Sequence, residues 1–122
     1  MNNIKRFDII FVDFGNDNIG SEQGGKRPAI VLQNDIGNAR SSTTIVCPLT
    51  KSIKHPYQPT HFLVRKNEIN GLKFDSMVLG ECVRQISKQR IISKIGRLND
   101  KKDMKGVFDA FCANIGEGEF VA

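Results

Sequence analysis

Short apolar segments separated by turn-forming residues make up most of the chain. Because the segments are rich in β-branched and aromatic residues and are bounded by Gly, Pro, Asn and Asp, they predict β-strands rather than helices. The predicted strands cover residues 7–14, 27–33, 43–50, 60–64, 76–79 together with 81–86, and 91–98. Gly80 interrupts the fifth of them and predicts a bulge or bend there.

The spacing of the apolar residues changes near residue 100. Beyond it they recur at i, i+3, i+4, i+7, i+8 and i+11 from Met104 to Ile115, the single stripe of an amphipathic helix. Asn99 or Asp100 can cap its start, and Gly116 predicts its end. Several short strands and one terminal helix predict an α+β, mostly β fold, a small antiparallel barrel-like sheet with the helix packed against it.

Length and composition narrow the class of protein. A chain of 122 residues predicts one domain over residues 1–122. Its apolar runs are too short to span a membrane and its N-terminus lacks a signal-peptide pattern, so we expect a cytoplasmic protein with no membrane association. The chain has three cysteines, which are widely spaced, and this pattern predicts reduced thiols rather than disulfides. Because they form no cluster with histidines, we expect no metal site, and we expect no cofactor.

The charge is unevenly distributed. The formal net charge is +5, and residues 36–67 contain no Asp or Glu. The cations of that stretch are Arg40, Lys51, Lys54, Arg65 and Lys66. They indicate either a solvated basic face or a surface for a polyanion, which means nucleic acid or an acidic protein segment.

A glycine-rich loop precedes the second predicted strand. Residues 20–28 read Gly-Ser-Glu-Gln-Gly-Gly-Lys-Arg-Pro. Glycines allow backbone N–H groups to approach an anion, and Pro28 stiffens the backbone next to Arg27. The order of residues differs from that of a Walker loop. The loop therefore predicts a site for a phosphodiester.

Arg27 and Thr50 each lie at the end of a predicted strand, next to a loop. A guanidinium offers planar donors that match two phosphate oxygens, and a hydroxyl can donate to a third. When a ribose 2′-OH attacks the neighbouring phosphorus, such donors stabilise the growing negative charge without a metal. The alternative is a surface cation and a strand-end hydroxyl with no catalytic role.

The general base is open at this stage. Glu22 is the nearest carboxylate in the sequence, and it could take the 2′-OH proton, contact a base edge or pair with Lys26. His55 and His61 flank a short loop and could form the acid–base pair of a ribonuclease, although histidines in such places are usually structural.

An ordered series of motifs resembles the MazF/PemK family of toxin endoribonucleases from type II toxin–antitoxin systems. The resemblance extends over residues from about 5 to 115. Its motifs are residues 20–28, 31–38, Thr50, 59–61, 75–76, 81–84 and 88–91.

The family resemblance implies a fold, an activity and partners. The implied fold is a small SH3-like antiparallel β-barrel with a C-terminal helix. The implied protein is a homodimer that cuts single-stranded RNA, mostly mRNA, at short sequences without a metal, leaving 2′,3′-cyclic phosphate and 5′-OH ends. An acidic MazE-like antitoxin would cover the RNA groove, and a net charge of +5 suits such a partner.

The resemblance also assigns roles to residues. The catalytic arginine and threonine of the family match Arg27 and Thr50, and Glu22 matches a glutamate in a supporting role. The predicted RNA-binding residues are Ser21, Gln23, Lys26, Gln33, Asn34 and Glu81. Because aromatic residues are few, hydrogen bonds are expected to dominate over stacking in RNA recognition.

Two positions depart from the family pattern. Phe7 replaces a turn glycine, so the first strand is expected to begin earlier or to bend differently. Cys82 stands where close relatives carry a glutamine, which points to a different RNA sequence preference rather than to a loss of activity.

Two rival functions share the predicted fold. One is a non-catalytic toxin that poisons DNA gyrase by binding, and the other is an inactive relative that only binds RNA or the antitoxin. The presence of both Arg27 and Thr50 favours the nuclease.

Overall fold

A computed structural model describes residues 3–17, 19–20 and 23–116 of the chain. The strands are β1 (Asp8–Asp13), β2 (Lys26–Val31), β3 (Thr43–Thr50), β4 (His61–Val64), β5 (Ser76–Leu79), β6 (Arg84–Ser87) and β7 (Ile91–Arg97). The α-helices are α1 (Asp35–Arg40) and α2 (Lys101–Ile115), and two single-turn 3-10 helices cover Gly80–Cys82 and Lys88–Arg90. No helix of the described part of the chain has the length and apolar character that crossing a membrane requires.

All strand pairs are antiparallel. The strand order is β4-β5-β3-β2-β1-β7, and β6 also pairs with β3. The predicted antiparallel sheet with a C-terminal helix is therefore confirmed. Within the described residues the two ends of this order, β4 and β7, are not paired with each other, so the barrel-like sheet is not closed.

The fifth predicted strand is two strands. The short 3-10 turn at Gly80–Cys82 separates β5 from β6, so the expected bend at Gly80 is a complete break. Both strands lie along the same long strand: β5 pairs with Leu49 and Thr50 at the end of β3, and β6 pairs with its first half.

Helix α1 was not predicted, because Gly37 and Asn38 are poor helix formers within it. Asn34 caps the helix, since its side-chain oxygen accepts a hydrogen bond from the Gly37 N–H at 2.8 Å. Asn38 is buried and accepts a hydrogen bond from the hydroxyl of Thr44 at 2.8 Å. Capping and this buried contact with β3 explain how so short a helix forms.

Helix α2 agrees closely with the predicted one. Asp100 is the capping residue and accepts a hydrogen bond from the Lys102 N–H, and Gly116 ends the helix at a φ of 72°. The helix places Val107 in a core cluster with Ile30, Leu49 and Val78. A second apolar cluster includes Val12, Ala29, Val31 and Val46. The strands are thus buried on both faces, which fixes their register.

Phe7 keeps the backbone conformation for which glycine is best suited. Its φ is 70°, and β1 begins after it at Asp8, so the strand does not begin earlier. Its N–H donates to the Val31 carbonyl at 2.7 Å and its carbonyl accepts from the Leu98 N–H at 3.0 Å. The ring packs against the core, so side-chain burial offsets a strained backbone.

We expect the Phe7→Gly variant to be more stable than Phe7→Ala by about 0.5–1 kcal/mol. Both variants lose the ring, but only alanine keeps a Cβ in the left-handed region of the backbone map. Urea unfolding of the two proteins gives their free energies of unfolding, and the difference is read from the midpoints when the two m values agree. An alanine variant as stable as the glycine variant would show that the backbone at this position is unstrained.

Candidate active site

Arg27 and Thr50 lie in the wall of one groove, with a volume of about 610 Å³. Four of the described residues that line it are cations and none of them is acidic. The cations are Lys26, Arg27, Lys51 and Lys73. A groove with this charge attracts anions, and polyanions most strongly, and it repels cations.

The register of two strands places Arg27 and Thr50 side by side. In the antiparallel pair of β2 and β3, Ala29 lies opposite Pro48 and Ile30 opposite Cys47. The paired positions end at Ala29 and Pro48, and the same register extended along both strands aligns Arg27 with Thr50, which line the same groove. Opposed residues of an antiparallel pair project from the same face of the sheet, so both side chains can reach one phosphate.

The glycine-rich loop holds the guanidinium of Arg27. Its Nε donates to the Gly24 carbonyl at 3.1 Å, and its Nη1 donates to the Gln23 side-chain oxygen at 2.5 Å. An arginine fixed by one edge can present its other N–H donors to a ligand. Gln23 was predicted to bind RNA, and in the structure it positions Arg27.

Thr50 is held by the turn that follows it. Its Oγ1 accepts a hydrogen bond from the Ser52 N–H at 3.1 Å. Since that bond uses a lone pair, the hydroxyl proton can be donated to a ligand. The next residue, Lys51, places an ammonium group in the same groove.

A polar side chain under the surface organises the opposite wall of the groove. Asn70 is 1% exposed, and its Oδ1 accepts from the N–H groups of Asn67 and Leu72, both at 3.0 Å. Its Nδ2 donates to the Arg65 carbonyl at 2.8 Å. These bonds fix the turn that carries Gly71, Leu72, Lys73 and Phe74 into the wall.

Gln33 and Asn34 lie apart from the groove of Arg27 and Thr50. Both line a separate pocket with Arg6 and the α2 residues Phe108 and Phe111. Their polar groups are used within the protein: Gln33 donates to the Thr43 carbonyl at 3.0 Å, and Asn34 caps α1. The structure therefore gives these two residues structural contacts.

Glu81 pairs with His61. Their side chains meet at 2.7 Å between Oε2 and Nε2, and His61 Nδ1 lies 2.9 Å from the His55 carbonyl. Partial burial opposes the charge on His61, but the bonds to Glu81 and His55 outweigh it, so the pKa of His61 is raised. With an acceptor at each ring nitrogen, His61 favours the doubly protonated form. Both of its N–H groups are engaged by Glu81 and the His55 carbonyl, and His61 is not among the described residues that line the groove of Arg27, so the geometry does not support a two-histidine mechanism there.

Ser21 and Glu22, predicted to bind RNA and to support catalysis, lie outside the described residues. Lys26 is exposed and lines the groove next to Arg27. No sequence motif pointed to Lys73 and Phe74, which join the groove through the turn organised by Asn70.

The cysteines are free thiols, as predicted. Burial raises the pKa of Cys47 to about 12, with smaller contributions from Cys82 and Glu81. Burial also raises the pKa of Cys82, and the nearby Arg27 only partly opposes it. Both thiols are protonated near neutral pH, so neither suits the role of a nucleophile. Within the described residues, no three His, Cys, Asp or Glu side chains cluster as metal ligands would.

The sequence profile of the PemK-like, MazF-like toxins of type II toxin–antitoxin systems matches residues 5–114. The chain belongs to this family. Endoribonuclease EndoA of Bacillus subtilis (strain 168) is 44% identical over 98 residues, which are 80% of this chain and 83% of that protein. Endoribonuclease MazF of Staphylococcus saprophyticus is 42% identical over 97 residues, covering 80% of this chain and 79% of that protein.

Solved structures share the fold. MazF from Deinococcus radiodurans superimposes with a TM-score of 0.75 at 19% identity, covering 93% of this chain and 96% of that one. A mycobacterial endoribonuclease in complex with its cognate antitoxin gives 0.75 at 15% identity, with 93% and 96% covered. The prediction of a toxin-family endoribonuclease is confirmed by the relatives, whose names favour it over the gyrase-binding alternative.

Proposed function

We propose that this toxin cleaves single-stranded RNA at short sequences, without a metal, by attack of a ribose 2′-oxygen on the adjacent phosphorus. The O–P bond to the 5′-oxygen breaks, leaving a 2′,3′-cyclic phosphate and a 5′-OH. The presence of Arg27 and Thr50 together in one groove whose described lining carries four cations supports this function most strongly.

Arg27 acts on the charge that develops at phosphorus. Its guanidinium, held by Gln23 and Gly24, donates to the non-bridging oxygens, whose negative charge grows in the transition state. Because the loop fixes it before substrate arrives, little reorganisation is needed during the reaction. Arg27 is always protonated and so does not serve as the general base.

Thr50 orients the scissile phosphate. Its hydroxyl, with one lone pair engaged by the Ser52 N–H, donates to a phosphate oxygen. The neighbouring lysines attract the phosphates of the RNA backbone, and they add affinity that does not depend on the RNA sequence; they are Lys26, Lys51 and Lys73. Glu22 is the candidate acceptor of the 2′-OH proton.

An acidic antitoxin would compete with RNA for the same groove. The groove's cations complement an acidic chain as well as they complement phosphates. Two solved complexes of MazE with MazF from Deinococcus radiodurans share the fold of this chain, with TM-scores of 0.69 and 0.68 at 18% and 20% identity. The toxin forms a homodimer, and the homodimer binds a MazE-like antitoxin.

Incubation of the purified toxin with a long single-stranded RNA in excess EDTA tests the proposed reaction. We expect discrete cuts whose fragments carry 5′-OH ends, and mapping those ends reveals the recognition sequence. Arg27→Ala protein prepared in parallel controls for contaminating ribonucleases. Intact RNA, from folded protein free of antitoxin, would contradict the proposal, and cleavage that requires added Mg²⁺ would contradict its metal independence.

A further inference from the structure

We infer that Phe74 is a stacking platform for one base of the bound RNA, an inference that rests on the proposed function. The ring is 55% exposed, and it lines the groove that also contains Arg27 and Thr50. Single exposed apolar residues are common on protein surfaces, so the place of this ring in the groove, rather than its exposure alone, carries the inference.

The ring is fixed on both sides in the chain. The hydroxyl of buried Ser76 donates to the Phe74 carbonyl at 2.8 Å. The carboxylate of Asp75 accepts a hydrogen bond from the Lys66 N–H at 2.9 Å. With Asn70 holding the preceding turn, the backbone that carries the ring is ordered, so less conformational entropy is lost when a base stacks on it than for a ring on a mobile loop.

A cation lies beside the ring. The Lys51 ammonium is 4.9 Å from the ring centroid of Phe74, within the range of a cation–π contact. Lys51 directly follows Thr50, so the ring lies close to the proposed phosphate site. A positive charge next to an exposed ring suits a nucleotide, because the phosphate can interact with the ammonium and the flat base can stack on the ring.

Stacking discriminates weakly among bases, because every base has a π face. Phe74 would therefore secure one nucleotide near the cleaved bond without selecting its identity. The hydrogen bonds of other residues would read the sequence. This assigns a particular ring to the stacking in a site where hydrogen bonds were expected to dominate.

The test uses a short RNA that contains the mapped cleavage sequence with a 2′-deoxy nucleotide at the cut position, so that it binds without being cut. We expect Phe74→Ala and Phe74→Leu to weaken binding by about 5- to 100-fold in fluorescence anisotropy, the range expected for losing one stacked base. Phe74→Tyr keeps the ring and should bind within about 2-fold of the wild type.

Two further readouts separate stacking from charge. An abasic substitution at the stacked position should weaken the wild type but not Phe74→Ala, whose platform is already missing. The salt dependence of binding should stay unchanged in Phe74→Ala, whereas Lys51→Ala should reduce its slope by about 0.7.

Phe74→Leu or Phe74→Ala protein that binds RNA as tightly as the wild type, while the wild type cuts RNA, would overturn this inference and leave the proposed function intact. Wild-type protein that neither binds nor cuts RNA would overturn both.

Discussion

Replacing Arg27 by alanine is expected to lower the rate of RNA cleavage by about 10²–10³-fold, the usual loss when one oxyanion donor is removed. Within the described residues, the guanidinium is hydrogen-bonded to Gln23 and Gly24, and Arg27 is not part of either apolar cluster. The variant should therefore fold normally and lose mainly the chemical step. Single-turnover rates measured with saturating enzyme isolate that step from binding.

Arg27→Lys and Arg40→Ala are the matched variants. Lysine keeps the charge of Arg27 but not its planar fork, so we expect cleavage at least about 10-fold below that of the wild type. Arg40 is exposed in the last turn of α1, and removing this cation should leave the rate unchanged. Folded Arg27→Ala protein that cuts RNA within a few-fold of the wild type would remove Arg27 from the mechanism.

The pairing of Arg27 with Thr50 could be anticipated because both residues end strands. Strands are recognised from runs of β-branched residues. Once the strands are placed along the sequence, the residues at their ends can be listed as candidates for a site. The structure adds the register of β2 and β3, whose extension aligns the two residues, and the groove that both of them line. Register depends on which faces are buried, and the two apolar clusters provide that information only in three dimensions.

The polar residues beyond the second strand illustrate what the sequence could not decide. Gln33 and Asn34 follow β2 and have side chains that could contact RNA, yet Asn34 caps α1 and Gln33 donates hydrogen bonds to Asn38 of α1 and to the Thr43 carbonyl of β3. That helix contains Gly37 and has little intrinsic propensity, so it is evident only once Asn38 is seen to be buried against Thr44. A local rule fails here because a tertiary contact decides the local structure.

The far wall of the groove was hidden for a similar reason. Lys73 and Phe74 are distant in sequence from Arg27 and join it through the turn organised by Asn70. The same turn packs closely on β7, where a Cβ added to Gly96 would lie 2.4 Å from the Ile69 carbonyl oxygen. Such close backbone contacts leave no periodic signal in the sequence.

Gly80→Ala is expected to reduce the stability of the fold by about 3 kcal/mol, at the upper end of the usual cost of overpacking. An added Cβ would lie 2.4 Å from the Ala110 carbonyl oxygen and 2.8 Å from the Thr60 carbonyl oxygen. Both are backbone atoms of other elements, so α2 would have to move away from the sheet. The melting temperature should fall by about 10 °C, measured by circular dichroism.

Gly106→Ala provides the contrast that identifies the cause. A Cβ at Gly106 would meet the ring of Phe62 at 2.0 Å, which is a side-chain obstacle, whereas Gly80 meets backbone. Phe62→Leu should therefore restore part of the stability lost in Gly106→Ala, but it should restore none of that lost in Gly80→Ala. Gly80 directly follows β5, and the first residue of β5, Ser76, lines the groove. A displacement at Gly80 is therefore expected to disturb the groove, so the folded Gly80→Ala protein should also cleave RNA more slowly than the wild type. A Gly80→Ala protein that melts within about 2 °C of the wild type would show that α2 can shift at little cost and that the packing of helix on sheet is not rigid here.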